Sequence, residues 1–320
     1  MNNKLLNIFF ALAVAFTLIS CGQTEKEKNL STPVSGTLKI GIDETLQPLA
    51  KEELEAFMAE YNRATIIPSY KPEVDIVNDF LKDSVEVLML SRKITPQENK
   101  IFEAKELVLS TSKVAFDAIA LALNKSNEDT IYTYEQITDL FSGKIKDWSE
   151  INHKKNGTIN IVFDSKNSST LRYMRDHFCK DGKLPSNWTA LNSNPEVIDY
   201  VNKNKNAIGV IGVNWISNYH EKKAISYSNK ISLARIYPPD SIKNPDNLPY
   251  GPRPENIARR LYPLYRDIYM ISREGRSGLG SGFMSYVATE KGQTIILQAG
   301  LVPANAPVRL IHITNSLNVK

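Results

Sequence analysis

From residue 37 onward, stretches with strand character alternate with stretches whose apolar residues recur at helical spacing. Thr37-Leu38-Lys39-Ile40-Gly41-Ile42 reads as a strand and is followed at once by the polar loop Asp43-Glu44-Thr45. Leu46, Leu49, Ala50, Leu54, Phe57, Met58 and Tyr61 then fall on one helical face. A short strand at Thr65-Ile66-Ile67 ends at Pro68, and residues 85–90 form an apolar run suited to a buried strand. Further strands are predicted over 118–123, 159–163, 207–211 and 264–271, with helices over 134–142, 169–178 and 196–202. This alternation predicts an α/β fold with parallel strands and helices on both faces. Residues 237–263 carry Pro238, Pro239, Pro245, Pro249, Pro252, Pro254 and Pro263, and read as a long surface excursion in which 255–261 form a short helix. The glycine-rich stretch Gly278-Leu279-Gly280-Ser281-Gly282 reads as a flexible turn, after which a final helix runs over 281–298 and stops at Gly300.

The N-terminus has a different pattern. Lys4 precedes an apolar run over 5–18, broken only by Asn7 and Thr17, which leads into Leu18-Ile19-Ser20-Cys21. This reads as a secretory signal peptide over 1–20 ending in a lipobox, with Cys21 acylated and 21–36 a lipidated tether. A plain cleaved signal with an incidental Cys21 is the alternative. The run is shorter than the ~20 residues a membrane span needs. The expectation is a soluble body anchored by lipid to a bacterial membrane, facing the periplasm or the exterior. With Cys21 lipidated, Cys179 has no disulfide partner and reads as a small buried hydrophobe. The 42% of hydrophobic residues supply an ample core, for one large domain or two of ordinary size. A net charge of +4 over 320 residues is too dilute for a nucleic-acid surface.

Two places offer an anion site. The loop 43–45 precedes the first long helix, and Asn167-Ser168-Ser169-Thr170 precedes the helix starting near 171. Hydroxyls and free amides at a helix N-terminus suit a desolvated oxyanion, although Ser, Thr and Asn are also the ordinary N-capping residues. Other chemistry finds little support. His153, His177, His220 and His312 lie far apart without zinc-ligand spacing, so no metal or cofactor is expected. No nucleophile elbow or P-loop is present. Trp148, Trp188 and Trp215 read as core anchors, and Arg259-Arg260 as a solvated face.

Several separated segments resemble the phosphate-binding lipoproteins of ABC transporters, which have the type II periplasmic-binding-protein fold. They are the strand and loop over 41–48, Leu90-Ser91-Arg92-Lys93-Ile94-Thr95-Pro96, Phe116-Asp117-Ala118-Ile119-Ala120-Leu121, and the helix, turn and tryptophan of 134–148. Ala207-Ile208-Gly209-Val210-Ile211-Gly212, Tyr262-Pro263-Leu264-Tyr265-Arg266 and Gly292-Gln293 through Pro303 complete the set. The resemblance implies a monomeric, two-lobed α/β protein with mixed, mostly parallel sheets. Lobe 1 would comprise 37–124 plus 263–314 and lobe 2 125–262, joined by crossover strands near Leu123 and Leu264. It would capture phosphate or a similar oxyanion in the cleft by hinge closure, without covalent chemistry, and serve a membrane permease. It implies Thr45, Ser91, Ser168, Ser169 and Thr170 as donors beside Glu44, Arg92 as charge partner and Asp117 as acceptor of a hydrogen bond from a protonated ligand.

The chain departs from the family pattern at four positions. Asp164 stands where the family has an arginine, Asn167 and Ser169 stand where it has glycines, and Glu44 replaces a small or hydroxyl residue. Carboxylates beside a dianion repel it unless turned away or neutralised; Lys166, Arg172 and Arg92 are cations able to replace the missing charge. Two rival readings therefore stay open: an envelope interaction or sensing protein whose anion site has degenerated, and a phosphohydrolase reusing the cleft.

Overall fold

The computed structural model describes residues 31–151, 156–275 and 277–305. Cys21, the signal peptide, His153, His312 and the end of lobe 1 lie outside them. In chain order the elements are β1 (Gly36–Asp43), α1 (Gln47–Glu60), β2 (Ala64–Lys71), α2 (Glu73–Leu81), β3 (Val87–Leu90), α3 (Pro96–Glu103) and β4 (Ser110–Asn124). They continue with β5 (Ile131–Tyr132), α4 (Tyr134–Phe141), β6 (Asn160–Phe163), α5 (Ser169–Phe178), β7 (Trp188–Ala190), α6 (Asn194–Lys203) and β8 (Ala207–Gly212). The remainder are α7 (Lys222–Ser228), β9 (Ile231–Leu233), β10 (Arg235–Ile236), α8 (Pro254–Ala258), β11 (Tyr265–Ser272), α9 (Leu279–Ala288), α10 (Glu290–Gln298) and β12 (Val302–Pro303).

The strands order as β2-β1-β3-β11-β4-β8-β6-β7, with β9 and β12 also on β4. Pairing is parallel on both flanks, β2-β1-β3 and β8-β6-β7, and antiparallel around β4 and β11. β4 joins the two halves. Its first part pairs with β11 through Ala118, and from Ile119 onward it pairs with β8. The change of partners thus comes ahead of the boundary expected at 124. The Ile119 amide donates to the Leu264 carbonyl at 2.8 Å, and the Ile119 carbonyl accepts from the Tyr262 hydroxyl at 2.7 Å. The second crossing, at Leu264, is thereby tied to the first.

The core strands are apolar throughout, as strands covered on both faces must be: β3 and β8 are buried at every position. Trp148 and Cys179 are buried, as expected of core residues. No helix among the described residues is long and apolar enough to cross a membrane.

Four expectations need correction. β2 runs through Pro68 rather than ending there. It lies at the edge of the sheet, where the missing N–H deprives no neighbour. The strand expected over 118–123 is the second half of the 15-residue β4; its polar first half, Ser110 to Lys113, hid it. The single final helix is two, broken at Thr289, whose backbone is extended. The break is satisfied locally: the Thr289 amide and hydroxyl donate to Tyr286 O, and Gln293 Nε2 donates to Val287 O at 2.8 Å. Arg260 does not lie on a solvated face. Its guanidinium stacks 4.4 Å from the Phe116 ring and 4.0 Å from the Tyr265 ring, a cation–π arrangement.

The helix stop at Gly300 is present. Gly300 has φ +76°, its amide donates to Leu297 O and that of Leu301 to Ile296 O, the paired bonds of a Schellman turn. A Cβ on Gly300 would lie 2.7 Å from Ser217 O, so the turn is also where α10 meets the other half of the molecule. Gly300→Ala should therefore cost at least the ~1–2 kcal/mol of a left-handed alanine. A urea titration will show this as a lowered midpoint with an unchanged slope.

Candidate functional site

Four strands deliver their carboxyl ends to one seam between the halves, the place where open α/β sheets put their ligands. β1 ends at Asp43, β3 leads into Ser91, β6 into Asp164, and β8 ends at Gly212. After β1, Asp43 Oδ1 accepts from the Thr45 amide at 3.1 Å and starts the short turn that opens α1. After β6, Ser168 Oγ accepts from the Leu171 amide at 3.3 Å and caps α5, a cap worth ~1 kcal/mol. These are the two helix starts the sequence singled out. The structure sets them face to face: Thr45 Oγ1 and Ser169 Oγ lie 3.0 Å apart across the seam.

Both hydroxyls share one cation, Arg266. Its Nη1 donates to Ser169 Oγ at 2.9 Å and its Nη2 to Thr45 Oγ1 at 3.2 Å. Its Nε donates to Asp117 Oδ2 at 2.8 Å and its Nη2 lies 2.7 Å from the same oxygen. The pairing follows from register, since Arg266 on β11 stands directly opposite Asp117 on β4. Arg266 is 3% exposed and Asp117 fully buried. Asp117 Oδ1 is buried without a hydrogen-bond partner, which leaves one acceptor facing no donor. Behind Thr45, Asn214 Nδ2 donates to its carbonyl at 2.7 Å.

The loop residues that depart from the family pattern are accommodated without a free cation. Asp164 is buried, with Oδ1 accepting from Thr170 Oγ1 at 2.5 Å and Oδ2 from Asn194 Nδ2 at 3.0 Å. Thr170 is thus spent on Asp164 and on Ser168, 3.0 Å away. Ser91, Arg92 and Arg172 form a separate group around the buried carboxylate of Glu73. Arg92 Nε donates to Glu73 Oε1 at 2.8 Å, and Arg172 Nε to the same oxygen at 2.6 Å. Arg92 also makes a two-pronged pair with Glu98. Lys166 is exposed. Of the expected site residues, Thr45, Asp117 and Ser169 converge on Arg266. Glu44 lies beside them, Ser168 and Thr170 support the loop, and Ser91 and Arg92 belong to the Glu73 group.

Glu73, Asn194 and Asn214 were not singled out from the sequence, and Asp43 and Arg266 entered only as members of the segments 43–45 and 262–266, without a role. Two of them left a signal. Arg266 is a cation at the same strand parity as Leu264, Ile268 and Met270, hence inward-facing. Glu73 shares a helical stripe with Ile76, Val77 and Phe80, hence core-facing.

The seam carries an excess of carboxyl groups, and burial dominates their titration. Burial pushes Asp43 up to about 6, opposed by Arg266 and reinforced by Glu73. Asp117 and Asp164 are also raised by burial, against the pull of Arg266. Glu44, half-buried, is pushed from 4.5 up to about 8, by burial first and then by Asp164, Asp43 and Asp75. A carboxyl whose folded-state value is raised stabilises the folded seam fully below its ordinary value and loses that contribution as pH rises to the raised one. Wild type should therefore lose stability relative to Glu44→Gln as pH rises from 4.5 to about 8. Urea midpoints of the two proteins across that window will check it, a pH-independent difference being the contrary result.

A cavity of about 810 Å³ forms a groove by Tyr61 and Tyr286 on the outer side of lobe 1. A cavity of about 530 Å³ lined by Gln47, Glu52, Asn214 and Trp215 opens between the halves beside the seam. Among the described residues no cluster of His, Cys, Asp and Glu is arranged to hold a metal.

The model of the PBP superfamily domain matches residues 28–291. The chain is 23% identical over 287 residues to the phosphate-binding protein PstS of Staphylococcus epidermidis, covering 88% of this chain and 83% of the relative. It is 22% identical over 300 residues to that of Staphylococcus aureus, covering 92% and 86%. A Clostridium perfringens structure with bound phosphate, described as a candidate substrate-binding protein of a phosphate ABC transporter, superposes with TM-score 0.68 at 21% identity, covering 84% of this chain and 100% of that one. An ABC-type phosphate transport receptor from Vibrio cholerae gives 0.62 at 18%, covering 84% and 100%. With the family model spanning most of its length and the fold shared with these structures, the chain belongs to the PBP superfamily.

Proposed function

We propose that the protein is an extracytoplasmic binding protein that captures phosphate or a similar small oxyanion between its lobes and delivers it to an ABC-type permease. One observation carries the reading. Two hydroxyls from opposite lobes, Thr45 and Ser169, converge on a single buried guanidinium, that of Arg266. Hydroxyl donors and a fixed cation, placed in advance in a seam that excludes water, are what an oxyanion needs to recover the cost of desolvation. Asp117 orients Arg266 through Oδ2, and its Oδ1 accepts a hydrogen bond from the ligand, an acceptor that favours protonated phosphate over sulfate. The lobes hinge at the tied crossings of Ile119 and Leu264, and capture is closure without covalent chemistry. The names of the relatives support binding in place of turnover. We place the mature monomer on the membrane through acylated Cys21.

A second reading is favoured by the carboxyl excess: Asp43, Asp117 and Asp164 are all buried around one guanidinium. In that reading the anion site has degenerated and the body serves envelope interaction or sensing.

Calorimetry on ligand-stripped protein separates the two. Phosphate should bind the wild type, and sulfate should bind more weakly. Thr45→Val keeps the side chain's size but removes a donor to a charged ligand, worth about 1.5–3 kcal/mol, so affinity should fall roughly 10- to 150-fold. No phosphate binding by wild type would leave the degenerate-site reading standing. Anchoring has its own check: Cys21→Ser should release the protein from the membrane fraction and abolish its lipid-dependent mass, and unchanged fractionation would refute the lipid anchor.

A further inference from the structure

The residues expected to hold an external anion through Ser91 and Arg92 already hold an internal one. Glu73, the first residue of α2, is fully buried. Its Oε1 accepts from Arg92 Nε at 2.8 Å and Arg172 Nε at 2.6 Å; its Oε2 accepts from Arg172 Nη2 at 3.1 Å and Ser91 Oγ at 3.4 Å. Ser91 also takes a contact from Arg172 Nη2 at 3.4 Å. Glu73, Ser91 and Arg92 belong to the β1-β2-β3 half, and Arg172 lies on α5 in the other. The carboxylate is therefore held by donors from both sides of the seam, as a captured oxyanion would be. The same contact zone is sealed by the Val74 amide on Asn167 O at 3.2 Å and by Asn167 Nδ2 on Asp75 Oδ1 at 3.1 Å.

We propose that Glu73 is a tethered surrogate ligand: its carboxylate occupies an oxyanion subsite made by Ser91, Arg92 and Arg172 and closes the lobes in the absence of any external anion. The alternative of a purely structural ion pair accounts for Arg172 but not for Arg92 in the donor set. Arg92 already has a two-pronged partner in Glu98, and Arg172 has Asp176 Oδ2 at 3.6 Å from its Nη1. Arg92 therefore has charge compensation apart from Glu73, whereas Arg172 shares Asp176 with Arg175, whose Nη2 lies 2.7 Å from Asp176 Oδ1. What Glu73 adds is the bridge between the halves. A group fixed to the chain competes at high effective concentration, so a free oxyanion reaches these donors only by displacing it. Closure in this protein is then controlled by exchange of one carboxylate for one oxyanion, which sets a threshold on affinity.

The inference about affinity rests on the oxyanion reading; the inference about closure does not. Glu73→Gln keeps the side chain's shape and removes the anion. Small-angle scattering of ligand-free protein should show a larger radius of gyration for Glu73→Gln than for wild type. Arg172→Gln should show the same expansion, because it cuts the bridge from the other lobe and leaves Glu73 paired with Arg92; it serves where Glu73→Gln is poorly folded by circular dichroism. Equal radii for wild type and both variants would overturn the surrogate. In calorimetry with inorganic phosphate, Glu73→Gln should bind more tightly than wild type by a coupling of roughly 5- to 150-fold. If wild type binds phosphate and Glu73→Gln binds equally or more weakly, Glu73 does not compete and the proposal fails while the functional reading stands. If neither binds phosphate but Glu73→Gln expands, the functional reading fails and the internal latch stands.

Discussion

The buried guanidinium of Arg266 is the constraint on which the seam depends. Taking an arginine out of water is costly, and removing one partner of such a buried pair costs about 3–5 kcal/mol. The fold meets that cost with a register decision: Arg266 and Asp117 stand opposite each other on neighbouring antiparallel strands. The side chains are consequently aligned by the backbone ladder before any ligand is considered. Asp43 and Asp164 arrive from two other strand ends and share the same field. The cation is thus fixed in place, and the two helix starts close around it.

This arrangement explains why departures in the α5 loop leave the loop intact. With Arg266 supplying charge from the crossing strand, the loop does not need its own arginine at position 164. Asp164 instead becomes a structural acceptor, tying Thr170 and Asn194 into lobe 2. Asn194 in turn accepts from the Gly212 amide at 3.2 Å, linking the end of β8 to the loop after β6. Ser169 gains a hydroxyl that reaches across to Thr45. The substitution that looked like loss of a close-approach glycine adds a donor at the seam.

The order of strands and helices was legible because buried strands and amphipathic helices leave a periodic trace, as in 207–212 and 169–178. What periodicity could not show was continuity through polar or kinked positions: the first half of β4, the passage of β2 through Pro68 and the break at Thr289. The candidate site was legible only in part. Thr45 and Ser169 were found because hydroxyls before helices are a local signal. Arg266 and Glu73 were missed because their importance is relational, arising from which strand lies opposite and which lobe closes over them. Their inward parity was in the sequence, but a single charged residue on an apolar stripe does not announce its partner. Arg92 illustrates the converse: its motif marked it as an anion ligand, while its charge is consumed by Glu73 and Glu98.

The carboxyl excess also bears on what form of oxyanion the seam can accept. Around one guanidinium stand Asp43, Asp117 and Asp164, with Glu44 at the margin, and a fully ionised set would repel any anion by several kcal/mol in a dry site. Burial raises all four, Asp43 to about 6 and Glu44 to about 8. A neutral Glu44 and a partly protonated Asp43 lessen the repulsion without removing hydrogen-bonding capacity, since a protonated carboxyl can donate where the carboxylate could only accept. An oxyanion that carries its own proton brings the complementary donor to Asp117 Oδ1. If the proposed capture at this seam holds, the species best matched to it is an oxyanion that enters with a proton.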